Sequence, residues 1–241
     1  MNKIWILTKK EIKVFFDSLL AYILLFIFLG LTGFFTWLFL FDIFSNGQAN
    51  LKPFFRVAFF TFSVFIPAIT MSSFAEEKNQ GTIELLLTKS ISDWQVVMGK
   101  ALAVFILVLI AIGLTLPYYI SITYLGDNID HGMIICGYLG LILVSLSATA
   151  IGIWASSIAQ NQITALLISL GIIVVLIGLF WIMSFFTSGM VSNVVDSLSM
   201  FAHFESMMRG VIDIKDVVYF LSIFAAGMLL TEAQLSKRHQ V

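Results

Sequence analysis

Two adjacent carboxylates, Glu76 and Glu77, are the residues of this 241-residue chain best suited to acid–base chemistry. A carboxylate pair can polarise a water for hydrolysis, as in intramembrane proteolysis, but it then needs histidines or other ligands at the same depth. The three histidines are His131, His203 and His239, and all are poorly placed for that task. The pair therefore does not indicate an enzyme.

A nucleotide site is not indicated either. A phosphate-binding loop follows the pattern G-x-x-x-x-G-K-[ST], in which backbone amides and the lysine hold the phosphates. The Gly-Lys pair at Gly99-Lys100 is followed by Ala101 and has no glycine five residues ahead of it. We expect no metal and no cofactor bound by this chain, and we expect ATP and Mg²⁺, where used, on a partner.

The composition is that of a polytopic membrane protein. Hydrophobic residues make up 60% of the chain and charged residues 11%, with a mean hydropathy of +1.02. Soluble domains contain about 25% charged residues. The net charge of -1 gives no reason to expect nucleic-acid binding. The first long apolar run begins near Leu19 and is interpreted as a span, not as a cleavable signal.

Six segments are long enough to cross a hydrocarbon core of roughly 30 Å, which takes about 20 helical residues. Their expected bounds are 19–41, 54–75, 99–124, 133–157, 163–186 and 216–235. Backbone groups in lipid must be satisfied within each segment, so the predicted fold class is all-α. Pro67 and Pro117 are expected to kink the second and third spans, either as simple shape or as gating hinges.

Residues 3–17 predict an amphipathic helix that lies along the bilayer surface. Its candidate functional residues are Lys10, Glu11, Lys13 and Phe16. Glu11 projects near the middle of the apolar side, where an unpaired carboxylate is unfavourable. Either Glu11 reaches the lipid headgroups or it has a specific partner.

The basic residues predict the orientation, because Lys and Arg are enriched on the cytoplasmic side. Nine of the 13 basic residues fall on one side of the predicted spans: Lys3, Lys9, Lys10, Lys13, Lys78, Lys89, Lys100, Lys237 and Arg238. The other side carries Lys52, Arg56, Arg209 and Lys215. Both termini and the loop at 76–98 are therefore predicted to be cytoplasmic.

Two connections are long enough for a function of their own. One is the charged loop at 76–98, and the other is the predicted outer segment at 187–215. The outer segment is too apolar for a solvated loop and predicts short helices or a re-entrant hairpin packed on protein. Ion-driven transporters carry ionisable residues near the middle of their spans, and Arg56, Lys100 and Glu232 lie near helix ends instead. Energy is therefore expected to enter through 76–98, unless that loop is merely solvated.

The run from Glu76 to Thr88, followed by Gly99-Lys100, resembles the signature after the second span in membrane subunits of the ABC-2 class of exporters. Further matches are Lys10-Glu11, Phe16, Asp17-Ser18, Ala21-Tyr22, Phe201, Phe204, Gly210, Ile212, Asp216 and Tyr219. The resemblance covers the whole chain. Within the class, the chain looks most like the small permease subunit of gliding-motility transporters of Bacteroidetes.

The resemblance implies a six-helix permease with an N-terminal interfacial helix, a cytoplasmic coupling helix and outer re-entrant helices before the last span. It implies a bacterial inner-membrane location, two copies of an ATPase subunit, and a second permease that is identical or related. The implied coupling residues are Glu76, Glu77, Lys78, Gly81, Thr82, Glu84, Leu85, Leu86 and Leu87. The implied outer residues are Phe201, Phe204, Arg209, Gly210 and Asp216.

The residue types of the coupling stretch suit that role. Gly81 allows a sharp break after the second span, and Thr82 can cap a new helix with Glu84 in its first turn. The leucines at 85–87 form an apolar knob that suits a groove on an ATPase. The expected function is export, in gliding motility or associated secretion. The alternative is a structural membrane anchor that moves no substrate.

Overall fold

The computed structural model describes residues 3–37, 50–82, 91–126, 129–186 and 190–237. Within these ranges all regular structure is helical, which confirms the all-α prediction. The first half comprises α1 (Lys3–Asp17), α2 (Leu19–Trp37), α3 (Lys52–Thr70), α4 (Ser72–Asn79), α5 (Asp93–Gly113), α6 (Leu116–Leu125) and α7 (His131–Ile158). The second half comprises α8 (Gln162–Val174), a π-helical segment (Val175–Leu179), α9 (Phe180–Phe186), α10 (Met190–Leu198), α11 (Met200–Met207) and α12 (Ile214–Ser236).

The helices are those of a multi-pass membrane protein. Four stretches of the described chain are long and apolar enough to cross a membrane: Lys52–Asn79, Asp93–Tyr124, His131–Ile158 and Ile214–Ser236. A fifth is counted if Lys3–Asp17 and Ala21–Trp37, bent by 74° from each other, are taken as one span. The predicted span 163–186 falls on a shorter apolar helix, Gln162–Gly178, and on α9.

Proline accompanies two helix breaks. Pro67 lies in the last turn of α3, which gives way to α4 at Met71. Pro117 lies in the first turn of α6, just after α5 ends. Proline has no N–H and is well accommodated only in the first turn of a helix, which explains the position of Pro117. Each pair of helices still runs on as one span, so the breaks bend the spans without ending them.

The core is built from phenylalanines of α3 packed on glycines of α7. A Cβ on Gly137 would lie 2.6 Å from the Phe55 ring, and a Cβ on Gly140 would lie 3.0 Å from the ring of Phe204 on α11. The fully buried rings of α3 are Phe54, Phe55, Phe59 and Phe62. Because α7 contacts α3, α4, α5, α8, α11 and α12, it is the central helix of the described chain.

Candidate coupling site

The coupling stretch begins with α4, whose first turn is held by Ser156 of α7. The fully buried Ser156 hydroxyl accepts hydrogen bonds from the N–H groups of Phe74, at 2.9 Å, and Ala75, at 3.0 Å. It donates to the Met71 carbonyl at 3.0 Å. The first N–H groups of a helix have no partner within it, and a hydroxyl offers one donor and two acceptor sites. Ser156 therefore caps α4 and joins it to α7.

The other end of α4 is tied to the same helix by Lys78. Its ammonium group donates to the Ser157 carbonyl and, at 3.1 Å, to the Ala159 carbonyl. These carbonyls lie at the C-terminal end of α7, where a positive charge interacts favourably with the helix dipole. Lys78, a predicted coupling residue, is thus a structural link between α4 and α7.

Lys100, two turns into α5, joins α4 to α1. Its Nζ lies 2.9 Å from Glu77 Oε1 and 3.4 Å from Glu11 Oε1, and 5.1 Å from the centre of the Phe74 ring. The exposed fractions of the side chains are 3% for Lys100, 13% for Glu11 and 20% for Glu77. Lys100, Glu11 and Glu77 form what we call the Lys100 cluster. Of the two alternatives for Glu11, the structure shows the specific pairing.

The Lys100 cluster has one cation for two carboxylates. Oε2 of Glu77 is buried and has no hydrogen-bond partner among the described residues. Lys10 adds a second cation at 3.9 Å from Glu11, but its side chain is largely exposed to solvent. Loss of one partner from a buried ion pair leaves an uncompensated charge, which is unfavourable by about 3–5 kcal/mol. Both carboxylates therefore depend on Lys100.

Gly99 lets α1 approach α5 closely beside this cluster. A Cβ on Gly99 would lie 2.7 Å from Cδ2 of Leu7. The Thr8 hydroxyl donates to the Gly99 carbonyl at 3.2 Å. The adjacent residues Gly99 and Lys100 thus have complementary roles, since the glycine admits α1 and the lysine binds its carboxylate.

A cavity of about 400 Å³ separates α1 from α4 next to the Lys100 cluster. Glu76 is half-buried at its edge and accepts a hydrogen bond from Gln80 at 3.2 Å. The remaining side chains that line the cavity are both polar and apolar, among them Val14, Ser18 and Gln162. On this side, α1 packs on α2 and α5, whereas α4 packs on α3, α7 and α8.

Gly81 ends α4 in the manner that the sequence predicts. Its φ of +67° lies in the left-handed region that glycine adopts readily. The Gly81 N–H donates to the Lys78 carbonyl at 3.1 Å, and the Thr82 N–H donates to the Glu77 carbonyl at 2.9 Å. These two bonds are those of a Schellman motif. The Thr82 hydroxyl also donates to the Glu77 carbonyl, at 3.3 Å.

The second half of the predicted coupling stretch lies outside the described residues. This half contains Glu84, Leu85, Leu86 and Leu87, so their role stays a prediction. The described chain resumes at Ile91, and Ser92 and Gln95 form a capping box that starts α5.

The remaining residues predicted for the interfacial helix lie on its surface. Lys10 and Lys13 are exposed, and Phe16 is half-buried. The Phe16 ring meets Tyr22 of α2 edge-on at 5.8 Å. This contact lies at the corner where α1 turns into α2.

At the opposite end of the molecule, the predicted outer residues divide into buried and exposed groups. Phe201 and Phe204 are buried, and Phe204 stacks on Phe59 of α3 at 4.8 Å. Gly210 has a φ of +87°, a conformation that favours glycine, and Arg209 beside it is exposed. These aromatic contacts anchor α11 to the core.

Asp216, the last predicted outer residue, is buried and belongs to a polar cluster around His203. His203 Nδ1 lies 2.7 Å from Asp216 Oδ1, and Nε2 lies 3.0 Å from the Ser197 carbonyl oxygen. The imidazole stacks on Tyr219 at 4.1 Å. The Tyr219 hydroxyl donates to the Leu198 carbonyl at 2.8 Å. We call His203, Asp216 and Tyr219 the His203 cluster; it joins α10, α11 and α12.

The two clusters lie at opposite ends of a span. Arg56 of α3 pairs with Glu205 of α11 at 3.1 Å, close to the outer residues. Glu77 follows Arg56 by 21 positions along α3 and α4, which corresponds to roughly 30 Å of helix. That distance equals the thickness of a hydrocarbon core.

The sequence comparison agrees with this architecture. Residues 45–233, which are 189 of the 241 residues, match the sequence model of the family described as ABC-2 family transporter protein. The chain belongs to the ABC-2 family. No curated protein matches the chain. The matched region of this ABC-2 permease contains Glu77 and Lys100, whereas Glu11 precedes it.

Family membership fixes the general role. An ABC-2 permease is a membrane subunit of an ABC exporter and works with a partner ATPase. The resemblance inferred from the coupling signature is confirmed at the level of the family.

Sequence reasoning missed the contacts of two residues that position α4. Ser156 was not singled out, and Lys100 was assigned to a helix end and to the family signature without a partner being named. A signal was available for Lys100, because a lysine at the start of an apolar span needs a partner, and Glu11 on an apolar helix face needs one too.

Proposed function

We propose that this ABC-2 permease exports its substrate when the partner ATPase pushes on residues 76–98. The observation that carries the proposal is the set of contacts around α4. Ser156 and Lys78 join α4 to α7, and Glu77 joins it through Lys100 to α5 and α1. A force on this two-turn helix therefore reaches α7 and α5 directly, and it reaches α1 through Lys100.

We further propose six spans with both termini in the cytoplasm of a bacterial cell. The spans are α2, α3 with α4, α5 with α6, α7, α8 with α9, and α12. The excess of basic residues at the α4 end supports this orientation in the inner membrane. The ATPase would be present in two copies and would carry the ATP and Mg²⁺.

The substrate path lies, in this proposal, between two permeases that are identical or related. Spans one, two and five line it, and α3 packs between α2 and α8. A groove of about 420 Å³ between α2 and α3 is lined by apolar side chains such as Leu31, Phe60 and Val64. Exposed apolar residues of α8, such as Leu167, extend this surface.

A role in gliding motility or associated secretion is the more specific part of the proposal. It rests on the resemblance of the coupling signature to the gliding-motility permease subunit usually called GldF. The alternative, a membrane anchor of such a machine that moves no substrate, makes a different prediction. An ATPase that binds but cannot hydrolyse ATP would still support the cellular phenotype only if the permease is an anchor.

Reconstitution with the purified ATPase tests the coupling role. Glu77→Ala and Glu84→Ala should each lower ATPase association or stimulation roughly tenfold, which corresponds to about 1.4 kcal/mol. Glu205→Ala, at the opposite end, serves as the control and should leave both unchanged. If association and stimulation stay at wild-type levels in both test variants, residues 76–98 are not the coupling site.

A further inference from the structure

Lys100 is the buried cation on which the link from α4 to α5 and α1 depends. It lies on α5, yet its two ionic partners are on other helices, Glu11 on α1 and Glu77 on α4. These partners are 89 and 23 positions away in the sequence. A lysine with 3% of its side chain exposed is uncommon unless its charge is paired.

The Lys100 cluster links α1 and α4 at the edge of a cavity, beside an apolar cluster that contains Leu7 of α1 and Phe74 of α4. The 400 Å³ cavity lies between α1 and α4, and side chains of both helices line it. Each helix packs on a different set of neighbours. The ion pairs of Lys100 therefore add an ionic link between α1 and α4 where the cavity leaves their facing side chains without direct packing.

The chemistry of the bridge suits a contact that must transmit movement. An ammonium group is a compact charge with three donors on a flexible stem, so it can keep two carboxylates while the helices shift. A hydrophobic contact would lose its close packing under the same shift. Because the site is largely buried, water competes little with the ion pairs.

We infer that Lys100 is a positioning residue that makes α1 and α5 follow the coupling helix α4 when the ATPase acts. The inference rests on the proposed function and deepens it. Glu77 passes the displacement of α4 to Lys100, and Glu11 passes it to the interfacial helix. Helix α1 thereby becomes part of the coupling machinery, although it precedes the residues that match the family.

The sharpest variant is Glu11→Gln, because it removes the ion pair between α1 and Lys100 and leaves the Thr8–Gly99 hydrogen bond between α1 and α5 in place. The Lys100–Glu77 pair at 2.9 Å remains, so α4 stays attached to α5. In vesicles that contain the full permease and its ATPase, association should stay within about twofold of wild type, because the residues at 76–98 are untouched. Stimulated ATP hydrolysis and transport should fall roughly tenfold, as expected for loss of a partly buried ion pair.

Lys100→Met is the second variant and keeps the length and apolar stem of the side chain. It should lower stimulation at least as much as Glu11→Gln, again with association retained. Lys9→Met, at an exposed lysine of α1 whose ammonium lies over the Trp5 ring, is the control and should behave as wild type. Lys100→Arg keeps the charge and should restore most of the stimulation.

A distance measurement separates transmission from simple loss of stability. Spin labels at Val14→Cys and Gln80→Cys, in a Cys136→Ala background, report the separation of α1 and α4 across the cavity. The parent protein carries both labels and the native Glu11. In this protein, addition of ATP and ATPase should shift the whole distribution of label-to-label distances as a single population. In Glu11→Gln the label on α1 should no longer respond to the ATPase, and the distribution should broaden.

The outcomes distinguish the inference from the proposed function. If Glu77→Ala abolishes coupling while Glu11→Gln and Lys100→Met retain wild-type stimulation and label response, the inference is wrong and the proposed function stands. If Glu77→Ala and Glu84→Ala leave coupling intact, the proposed function is itself wrong. A Lys100→Met protein that does not fold leaves the decision to Glu11→Gln, which decides it alone.

Discussion

The Lys100 cluster and the His203 cluster both join three helices through a buried ionic group, but they are built differently. Lys100 reaches across the edge of a 400 Å³ cavity to two carboxylates with a flexible side chain. His203 is a flat ring stacked on Tyr219, with acceptors facing both of its nitrogens. The first arrangement tolerates movement, whereas the second fixes one geometry.

The difference indicates a division of labour between the two ends of the permease. Both imidazole nitrogens of His203 lie within hydrogen-bond distance of oxygen atoms, one on Asp216 and one on Ser197. Stacking and directional hydrogen bonds hold α10 and α11 on α12 as one block. In the proposed mechanism, the contacts at the α4 end move and those at the α11 end stay fixed.

The largest effect is expected from Lys100→Met on the free energy of unfolding. The substitution leaves the largely buried Glu77 without a cation and leaves Glu11 only the exposed Lys10, so unfolding should become easier by about 3 kcal/mol. Thermal unfolding of the purified permease in detergent measures this. Lys9→Met is the matched control, and an equal change in both variants would remove the contrast between a buried and a surface lysine.

Asp216→Asn should have the next largest effect and lower the free energy of unfolding by about 2 kcal/mol. The reason is that the buried carboxylate that holds His203 is lost. The same unfolding assay reports it, with Asp196→Asn on α10 as the control. ATPase stimulation per folded molecule should stay at the wild-type level. A selective loss of stimulation would show that the two ends are not functionally distinct.

Ser156→Ala tests the attachment of α4 to α7 separately from the Lys100 cluster. The N–H groups of Phe74 and Ala75 lose their acceptor, so unfolding should become easier by roughly 1–2 kcal/mol. Ser157→Ala is a close control, since the Ser157 hydroxyl donates only within its own helix, to Trp154 at 2.7 Å. Equal free energies of unfolding for Ser156→Ala and Ser157→Ala would contradict the attachment of α4 to α7 by Ser156.

Arg56→Ala should have the smallest effect. The pair with Glu205 is well exposed, with 46% and 39% of the two side chains accessible, and water screens it. The free energy of unfolding should fall by at most about 1 kcal/mol, and this difference from wild type should vanish at high salt. A larger, salt-independent loss would mean that this outer contact resembles the buried Lys100 cluster after all.

Several features of the fold and the site were predictable because they depend on neighbouring residues. The helix break at Gly81 follows from a glycine with no Cβ penalty in the left-handed region. The burial of Phe201 and Phe204 follows from an apolar segment that water would not solvate. The break near Pro117 follows from the missing N–H of proline.

The partners of the charged residues were less accessible to sequence reasoning. Glu11 was recognised as a carboxylate that needs a cation, yet any of several lysines satisfies that need on paper. Lys78 was assigned to ATPase coupling, and the structure shows that it also ties α4 to the end of α7. Ser156 gave no signal, because a serine near a helix end is ordinary.

Composition, segment length and local helix-ending signals by themselves determined that this protein is an all-α, multi-pass membrane protein with a charged loop after one span. These properties are local or additive along the chain, so they need no knowledge of packing. Only the tertiary structure decided that Lys100 joins Glu11 to Glu77 and that Ser156 caps α4. Such pairings span up to 89 positions and arise only when glycines and small side chains let particular helices meet.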